Sequence, residues 1–299
     1  SALRWRRQFS RACPRGFSAP GAMPRAKKSW APSERQSGWT LRGAVWKERP
    51  RAESSDAESP SQSTKELPAQ LCKQPVAAPK RVIGFDWDCT LTVKHYYKVF
   101  AWGYAQGNDS AHIHCRAFVE WCRANDVKCE MQGRATCDDV MSEAVEDFCR
   151  HAGEQTFREL FREVFLGGDD RIALVAAWLE RMQRSGVMFS IVTAGISTCV
   201  LRALTAVPEW LPFFNSARVW DTSQGRHSLG SVIGMKALIL RDIFPDATRI
   251  VLVDDSLGRD VPPRWVLTGT GVETFTDLPY EGPGITEEIL KSLEEVVMR

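Results

Sequence analysis

The stretch RVIGFDWDCTLT, which runs from Arg81 to Thr92, combines an apolar run with a pair of aspartates. It starts as a short apolar run of the kind that forms a buried strand, and it continues into two aspartates separated by one residue. Because alternate residues of an extended chain point the same way, we expect the carboxylates of Asp86 and Asp88 to lie close together. Close carboxylates repel each other, so one tends to keep its proton unless a cation is near. The pattern suits a site in which one carboxylate attacks or binds metal and the other transfers a proton.

Two later apolar runs resemble the first. VMFSIVTAG spans Val187–Gly195 and TRIVLVDDS spans Thr248–Ser256, and both end in small or acidic polar residues. A helix is predicted before each run, because residues 169–186 begin with acids and stop at a glycine, and residues 230–247 are closed by a proline. Strands that alternate with helices predict an α/β fold with a doubly wound, mostly parallel sheet that is covered on both faces.

The ends of these predicted strands carry the polar residues. In open sheets of this kind ligands lie beyond the carboxyl ends of the strands, which is where Asp86, Thr193 and Asp255 fall. Carboxylate oxygens are preferred Mg²⁺ ligands, so Asp86 and Asp255 are candidates to hold that cation. Lys236, near the start of its predicted helix, adds positive charge that suits an anionic phosphate. An aspartate nucleophile also suits phosphate, since it forms an acyl phosphate that water can cleave.

These residues, in this order, resemble the haloacid dehalogenase-like (HAD) hydrolase superfamily, whose members are mostly phosphatases. The first motif of that family, D-x-D-x-T, is DWDCT here, the second is FSIVT, the third is Lys236 and the fourth is VLVDDS. The resemblance covers residues 80–275. It implies a Rossmann-like core and a Mg²⁺-dependent phosphatase that works through an aspartyl-phosphate.

The resemblance also implies catalytic roles for the first motif. Asp86 is expected to be the nucleophile and a Mg²⁺ ligand. Asp88 is expected to act as general acid and then general base, and to offer its backbone carbonyl to the metal. The family often has glycine at the position of Cys89, so this chain departs from the commonest form of the motif there.

The remaining motifs imply the rest of the site. Thr193 and Lys236 are expected to hold the transferring phosphoryl group. Asp255 aligns with the metal-binding acid of the fourth motif, and Asp254 and Asp260 are candidates for the outer shell of the metal site.

The resemblance further predicts how the chain is divided. Residues 100–168 have helical patterns and resemble the helical cap that many members insert after the first strand, so residues 80–99 and 169–299 would form the core. A short helical turn and a hairpin are expected in residues 91–107, as in the family. Because a lid closes over a small molecule and excludes water, we expect the substrate to be a small phosphate monoester.

Residues 1–79 differ from the rest in composition. Their first 51 residues hold 13 Arg and Lys against two Glu, whereas the remainder of the chain holds 26 basic and 35 acidic residues. We expect a disordered basic arm, since its composition cannot bury enough apolar surface to fold. An Arg-rich, acid-poor segment also fits an organelle transit peptide. Nine cysteines without a C-x-x-C pair indicate reduced thiols, so we expect an intracellular protein of the cytoplasm or, with a transit peptide, of an organelle.

Other functions remain open on the same fold. The chain could be a catalytically silent binding or regulatory protein, a phosphoprotein phosphatase or a phosphomutase. No apolar run approaches the roughly 18 residues that span a bilayer, so we expect no membrane partner. We do not expect nucleic-acid binding, because the basic arm contains no recognised motif for it.

The other basic side chains near the first motif are interpreted as surface or lid residues. His112 and His114 are expected to point apart on a helix, and Lys94 and Lys98 are expected to be solvated. His95, close behind the motif, is a candidate for substrate contact.

Overall fold

The structure is a computed structural model that describes residues 81–108, 112–134, 138–222, 232–258 and 269–299. The predictions about the arm of residues 1–79 and about Asp260 lie outside the described residues.

A five-stranded, all-parallel sheet forms the centre of the described structure, in the order β3-β2-β1-β4-β5. Its strands are β1 (Arg81–Phe85), β2 (Val187–Thr193), β3 (Val219–Asp221), β4 (Arg249–Val253) and β5 (Val272–Phe275). The strand that contains the first motif is central, with the two other predicted strands on either side. The predicted α/β fold with a mostly parallel sheet is therefore confirmed.

Helices follow or connect these strands. Apart from the short helical turns Trp87–Leu91, Ser216–Arg218 and Asp255–Gly258, the described ones are a π-helical segment (Lys98–Ala105), α1 (Ile113–Ala124), α2 (Asp138–Ala152), α3 (Glu154–Leu160, extended by π-helical Phe161–Phe165), α4 (Asp169–Arg184), α5 (Ser197–Leu204), α6 (Val232–Ile243) and α7 (Glu287–Met298). We call the π-helical segment, α1, α2 and extended α3 the helical layer. Within the described ranges no helix is both long and apolar enough to cross a bilayer.

The two faces of β1 pack against different helices. Val82 lies in a buried cluster with Leu240 and other apolar residues of α6. Phe85 lies in a second cluster, with its ring centroid 6.4 Å from that of Trp178 in α4. Gly84 is needed for the close approach of α6, because a Cβ atom there would lie 2.3 Å from Cδ1 of Leu240. The alternation of apolar residues along the strand thus produces a sheet covered on both faces.

The prediction of a hairpin within residues 91–107 is wrong, because Lys98–Ala105 is helical. Tyr96, Phe100 and Tyr104 are spaced by four residues, which is a helical period. Their rings form one buried row, with centroids 5.2 Å apart for the first pair and 6.3 Å apart for the second. Burial of this row favours the helix over the extended form that the aromatic residues suggested.

The start of α1 also differs from prediction. Ile113 is 76% exposed, because it lies in the first turn of the helix. His112 precedes the helix as its N-cap, and Nδ1 of His112 accepts the backbone N–H of His114. The ring centroids of the two histidines are only 4.6 Å apart, so the prediction that they point apart is wrong.

The helical layer is inserted after β1, as the resemblance implies. Its elements precede β2 in the chain. The domain boundaries at residues 100 and 168 stay predictions.

Candidate active site

The carboxyl ends of three neighbouring strands meet at one cavity. Asp86 follows β1, and its backbone N–H donates to the carbonyl of Val253 at 2.8 Å, which continues the pairing with β4. Thr193 is the last residue of β2, and Asp254 and Asp255 follow β4 directly. These four polar residues, Asp86, Thr193, Asp254 and Asp255, line a cavity of about 420 Å³, a volume suited to a small ligand.

Lys236 enters the same cavity from α6. Its Nζ lies 2.7 Å from Oδ1 of Asp86 and 2.6 Å from Oδ2 of Asp254, and its side chain is almost fully buried. Burial by itself lowers the pKa of Lys236, but the adjacent carboxylates of Asp254 and Asp86 raise it above its usual range. The ammonium group is therefore charged at neutral pH.

Asp88 lines the same cavity and contacts the residues just before the π-helical segment. Its Oδ1 accepts the backbone N–H of Tyr96 at 2.5 Å, and its Oδ2 lies 3.2 Å from Nδ1 of His95. Burial raises the pKa of Asp88 to about 6. Burial also lowers the pKa of His95 to about 3, so that ring is neutral at neutral pH. A carboxyl with a pKa near neutrality can both give and take a proton.

Thr193 presents its hydroxyl at the end of β2. The oxygen accepts the backbone N–H of Gly195 at 2.9 Å, which leaves the hydroxyl proton to be donated. Both residues line the cavity, so the hydroxyl suits an anionic oxygen of a ligand.

Three of the carboxylates fit a divalent cation. One oxygen each of Asp86, Asp254 and Asp255 lies within 4.8 Å of the others, and all three residues are buried. Oδ1 of Asp86 makes no directed hydrogen bond, although Lys236 is near. Burial raises the pKa of Asp86, and it raises the pKa of Asp255 to about 6. Buried carboxylates with raised pKa values are stabilised in their ionised form by a nearby cation.

Two residues that sequence reasoning missed support the loop of the first motif. Oγ1 of Thr90 accepts the backbone N–H of Asp255 at 3.1 Å and so joins the first and fourth motifs. The threonine of D-x-D-x-T was itself the signal for this contact. Arg171 of α4 donates to the backbone carbonyls of Leu91 at 2.9 Å and Ile285 at 3.0 Å. Nothing in the sequence around Arg171 distinguishes it from a surface arginine.

A third residue that was missed, Glu281, lies in the outer wall of the cavity. Its Oε1 lies 3.0 Å from Nζ of Lys98 and accepts the hydroxyl of Tyr280 at 2.8 Å. Lys98 was predicted to be solvated, but its side chain is only 16% exposed and also lies 5.6 Å from the ring centroid of Trp102. The ion pair with Glu281 explains why this lysine is tolerated in the wall.

Comparison with known proteins finds only distant structural similarity. No protein-family model matches the sequence, and no curated protein matches it. Among solved structures, a predicted phosphoglycolate phosphatase from Haemophilus somnus is 15% identical, with a TM-score of 0.40 over 74% of this chain and 99% of that one. The Legionella pneumophila effector Ceg4 is 16% identical, with a TM-score of 0.34 over 73% and 94% of the two chains. The HAD domain of the Legionella pneumophila effector Lem4 is 13% identical, with a TM-score of 0.33 over 73% and 94%.

At these identities and TM-scores the neighbours say nothing about what this chain binds or does. The fold is established by the chain's own sheet order and strand registers. It is a Rossmann-like α/β core with helices inserted after the first strand, which is the architecture implied by the resemblance to the HAD-like superfamily.

Proposed function

We propose that this chain is a Mg²⁺-dependent phosphatase that hydrolyses a small phosphate monoester through an aspartyl-phosphate on Asp86. The observation that carries the proposal is the convergence of four buried residues, Asp86, Asp88, Asp255 and Lys236, on one cavity. These residues come from separate parts of the chain. A nucleophile, a proton carrier, a cation ligand and a fixed positive charge are what phosphoryl transfer requires.

The carboxylates of Asp86 and Asp255 would hold Mg²⁺, with Asp254 next to them. By resemblance, the backbone carbonyl of Asp88 would be a further ligand. When bound, the cation would neutralise charge on the phosphate and polarise its oxygens. Lys236 already contacts two of these carboxylates, so the site is organised before a ligand arrives.

The side chains then have the following roles. A carboxylate oxygen of Asp86 attacks phosphorus, the bond to the ester oxygen breaks, and the leaving alkoxide takes the proton of Asp88. Asp88, now ionised, accepts a proton from water, whose oxygen attacks the acyl phosphate and releases inorganic phosphate and free Asp86. Lys236 and the hydroxyl of Thr193 bind the phosphoryl oxygens during both transfers. The pKa of about 6 for Asp88 supports this double use.

The position of the helical layer favours a small substrate. Tyr97, Lys98 and Trp102 of this part of the chain line the same cavity as the catalytic carboxylates. A cavity of about 420 Å³ suits a metabolite-sized ester better than a folded phosphoprotein. A phosphomutase and a phosphoprotein phosphatase share the core chemistry, and a binding module would share the cavity without turnover.

The decisive experiment is phosphate release by the purified chain from para-nitrophenyl phosphate and from a panel of phosphorylated metabolites, with Mg²⁺ or with a chelator. We expect turnover only with Mg²⁺, and turnover at the background rate in Asp86→Asn. The control is Glu295→Gln, which removes a carboxylate on the exposed face of α7 and should keep wild-type turnover. Full activity of Asp86→Asn would falsify the mechanism.

The same panel separates the alternatives. A binding module would retain phosphate esters without releasing phosphate. A phosphomutase would yield an isomeric sugar phosphate, and a phosphoprotein phosphatase would prefer phosphopeptides to every metabolite tested.

A further inference from the structure

Glu281 connects two parts of the molecule that the four motifs do not connect. It lies between β5 and α7, outside all of the motifs. Its backbone N–H donates to Oδ2 of Asp255 at 2.8 Å. Its Oε1 lies 3.0 Å from Nζ of Lys98 and 3.1 Å from Nε2 of His112, and these residues belong to the first turn of the π-helical segment and to the N-cap of α1. One residue therefore contacts a candidate cation ligand through its backbone and the helical layer through its side chain.

The contacts of the Glu281 side chain are hydrogen bonds in which the carboxylate is the acceptor. Nδ1 of His112 accepts the backbone N–H of His114 at 3.2 Å, so Nε2, which lies 3.1 Å from Oε1 of Glu281, is the ring nitrogen that donates to it. Burial alone would raise the pKa of Glu281, but hydrogen bonds from Lys98, Tyr280 and His112 lower it to about 2. The carboxylate is thus ionised, and three donors converge on one of its oxygens.

The backbone of Glu281 is held in an unfavourable conformation. Its φ angle is 47°, in the left-handed region that residues other than glycine seldom adopt. Such a conformation persists only where surrounding contacts hold it, and here both the amide and the carboxylate are engaged. Glycine would remove the strain but would also remove the carboxylate. A glutamate at position 281 therefore indicates that the contacts of its carboxylate compensate for the backbone strain.

We propose that Glu281 is a positioning residue: it couples the packing of the helical layer against the cavity, through Lys98 and His112, to the orientation of the Asp255 carboxylate. The proposal rests on the proposed function, because Asp255 matters here as a cation ligand. If the coupling exists it is reciprocal. A cation bound at Asp255 stabilises the contacts of Glu281 with Lys98 and His112, and those contacts increase the affinity for the cation.

Hydrogen exchange measured by mass spectrometry tests the coupling without any turnover. The probe is Mg²⁺ alone, added to the full chain, and two sets of amides are followed: those of α1 in the helical layer and those of the turn Asp255–Gly258 at the cation site. In the wild type we expect Mg²⁺ to slow exchange in both sets. In Glu281→Gln, which keeps the backbone N–H and the side-chain shape, we expect slower exchange at the turn only. Glu295→Gln is the charge-matched control and should behave as the wild type.

Each outcome separates the coupling from the proposed function. If Mg²⁺ protects neither set in the wild type, the cation-dependent function itself fails and the coupling with it. Protection of the turn alone in the wild type leaves the cation site standing and overturns the coupling. Protection of α1 that survives in Glu281→Gln also overturns it, because the signal then travels by another route.

Calorimetry of Mg²⁺ binding measures the size of the coupling between Glu281 and the cation site. Glu281→Gln should weaken Mg²⁺ binding about fivefold or more, the lower end of usual coupling between sites. Lys98→Met removes the other half of the ion pair and should weaken it by a similar factor. The double variant should be little worse than either single variant, because both remove the same interaction. Additive losses, or an unchanged affinity in Glu281→Gln, would contradict the proposal.

Discussion

Cys89 has a backbone conformation that its side chain disfavours. Its φ angle is 58°, which is left-handed, and its backbone N–H donates to Oγ1 of Thr92 at 3.0 Å. The turn that carries the first motif needs this conformation to bring Asp88 and Thr90 into place. Glycine is common at this position in the superfamily that the sequence resembles, and a physical reason is that glycine has no Cβ to oppose a positive φ.

Replacement of Cys89 should therefore reverse the usual order of glycine and alanine. The free energy of unfolding of Cys89→Gly is expected to equal that of Cys89→Ala or to exceed it by up to about 1 kcal/mol. The reason is that relief of the left-handed strain outweighs the loss of one buried methyl group. Denaturant unfolding of the two variants measures the difference. The matched control is Cys115, buried in α1, where glycine should be less stable than alanine by about 1 kcal/mol.

The carboxylates of the site and the nearby histidines have opposite effects on stability as the pH changes. Burial raises the pKa values of Asp88 and Asp255 to about 6, so in the cation-free protein their contribution is present below pH 4 and is lost as the pH rises through 6. Burial lowers the pKa values of His95 and His114 to about 3, so their contribution is present above pH 6.5 and is lost as the pH falls. Measuring the free energy of unfolding against pH would therefore give only the sum of the carboxylate and histidine contributions.

If Mg²⁺ binds as proposed, the stabilisation that it gives reports on the carboxylates alone. Because the ligands must be ionised to bind, we expect the gain in the free energy of unfolding on addition of Mg²⁺ to be small at pH 4.5 and to grow as the pH rises through about 6. Urea unfolding with Mg²⁺ and with a chelator, from pH 4.5 to 7.5, measures this gain. Asp255→Asn should abolish most of it, and a gain independent of pH would contradict the assignment of these ligands.

At the scale of elements, Arg171 shows how one helix organises a loop. Its guanidinium group donates to four backbone carbonyls, those of Thr90, Leu91, Leu166 and Ile285. Burial lowers its pKa to about 10. The planar guanidinium has five N–H donors, which allows it to satisfy several carbonyls from one position. The helix α4 therefore holds the loop of the first motif and the segment before α7 together.

Arg171→Lys should be costly although the charge is kept. A single ammonium group cannot reach four carbonyls, so buried acceptors lose their partners, and we expect a loss of about 2–4 kcal/mol in the free energy of unfolding. Activity should fall as well, because the loop carries Asp86 and Asp88. The matched control is Arg184→Lys near the end of the same helix, where the side chain is 71% exposed and the change should stay within about 0.5 kcal/mol.

Which elements could be predicted depended on their length and pattern. β1, β2 and β4 are continuous apolar runs with polar ends, and the sequence predicted them correctly. β3 (Val219–Asp221) was missed, because three residues after an exposed turn give no periodic signal. The π-helical segment was mistaken for a hairpin, since aromatic residues favour strands on average and only tertiary burial of their helical row decided otherwise.

At the scale of the whole molecule, the sheet and the helical layer share one buried core. Trp87, in the motif loop, stacks on Phe161 with ring centroids 6.0 Å apart. Phe161 lies 5.4 Å from Phe165, and Phe165 lies 6.0 Å from Phe100. These rings belong to the same buried cluster as Phe85 of β1. Packing is thus continuous from the strand ends into the helical layer.

This continuity predicts a single cooperative unfolding transition for the described sheet and helices. Phe100→Ala should lower the free energy of unfolding by about 3–5 kcal/mol and shift the whole transition, whereas Phe100→Leu should cost much less. Tryptophan fluorescence and far-ultraviolet circular dichroism, measured in the same denaturant series, should give coincident midpoints. Separate midpoints would show that the helical layer unfolds on its own.

Local sequence pattern was enough to predict β1, β2 and β4, the α/β class and the convergence of Asp86, Thr193, Lys236 and Asp255, because apolar runs and the polar residues at their ends can be read along the chain. Only the tertiary structure decided what supports them. Arg171 and Glu281 are distant from the motifs in the chain and have no local signature, since their roles depend on which carbonyls and carboxylates folding brings within hydrogen-bond distance. The helical form of Lys98–Ala105 was decided in the same way, by burial against residues far along the chain.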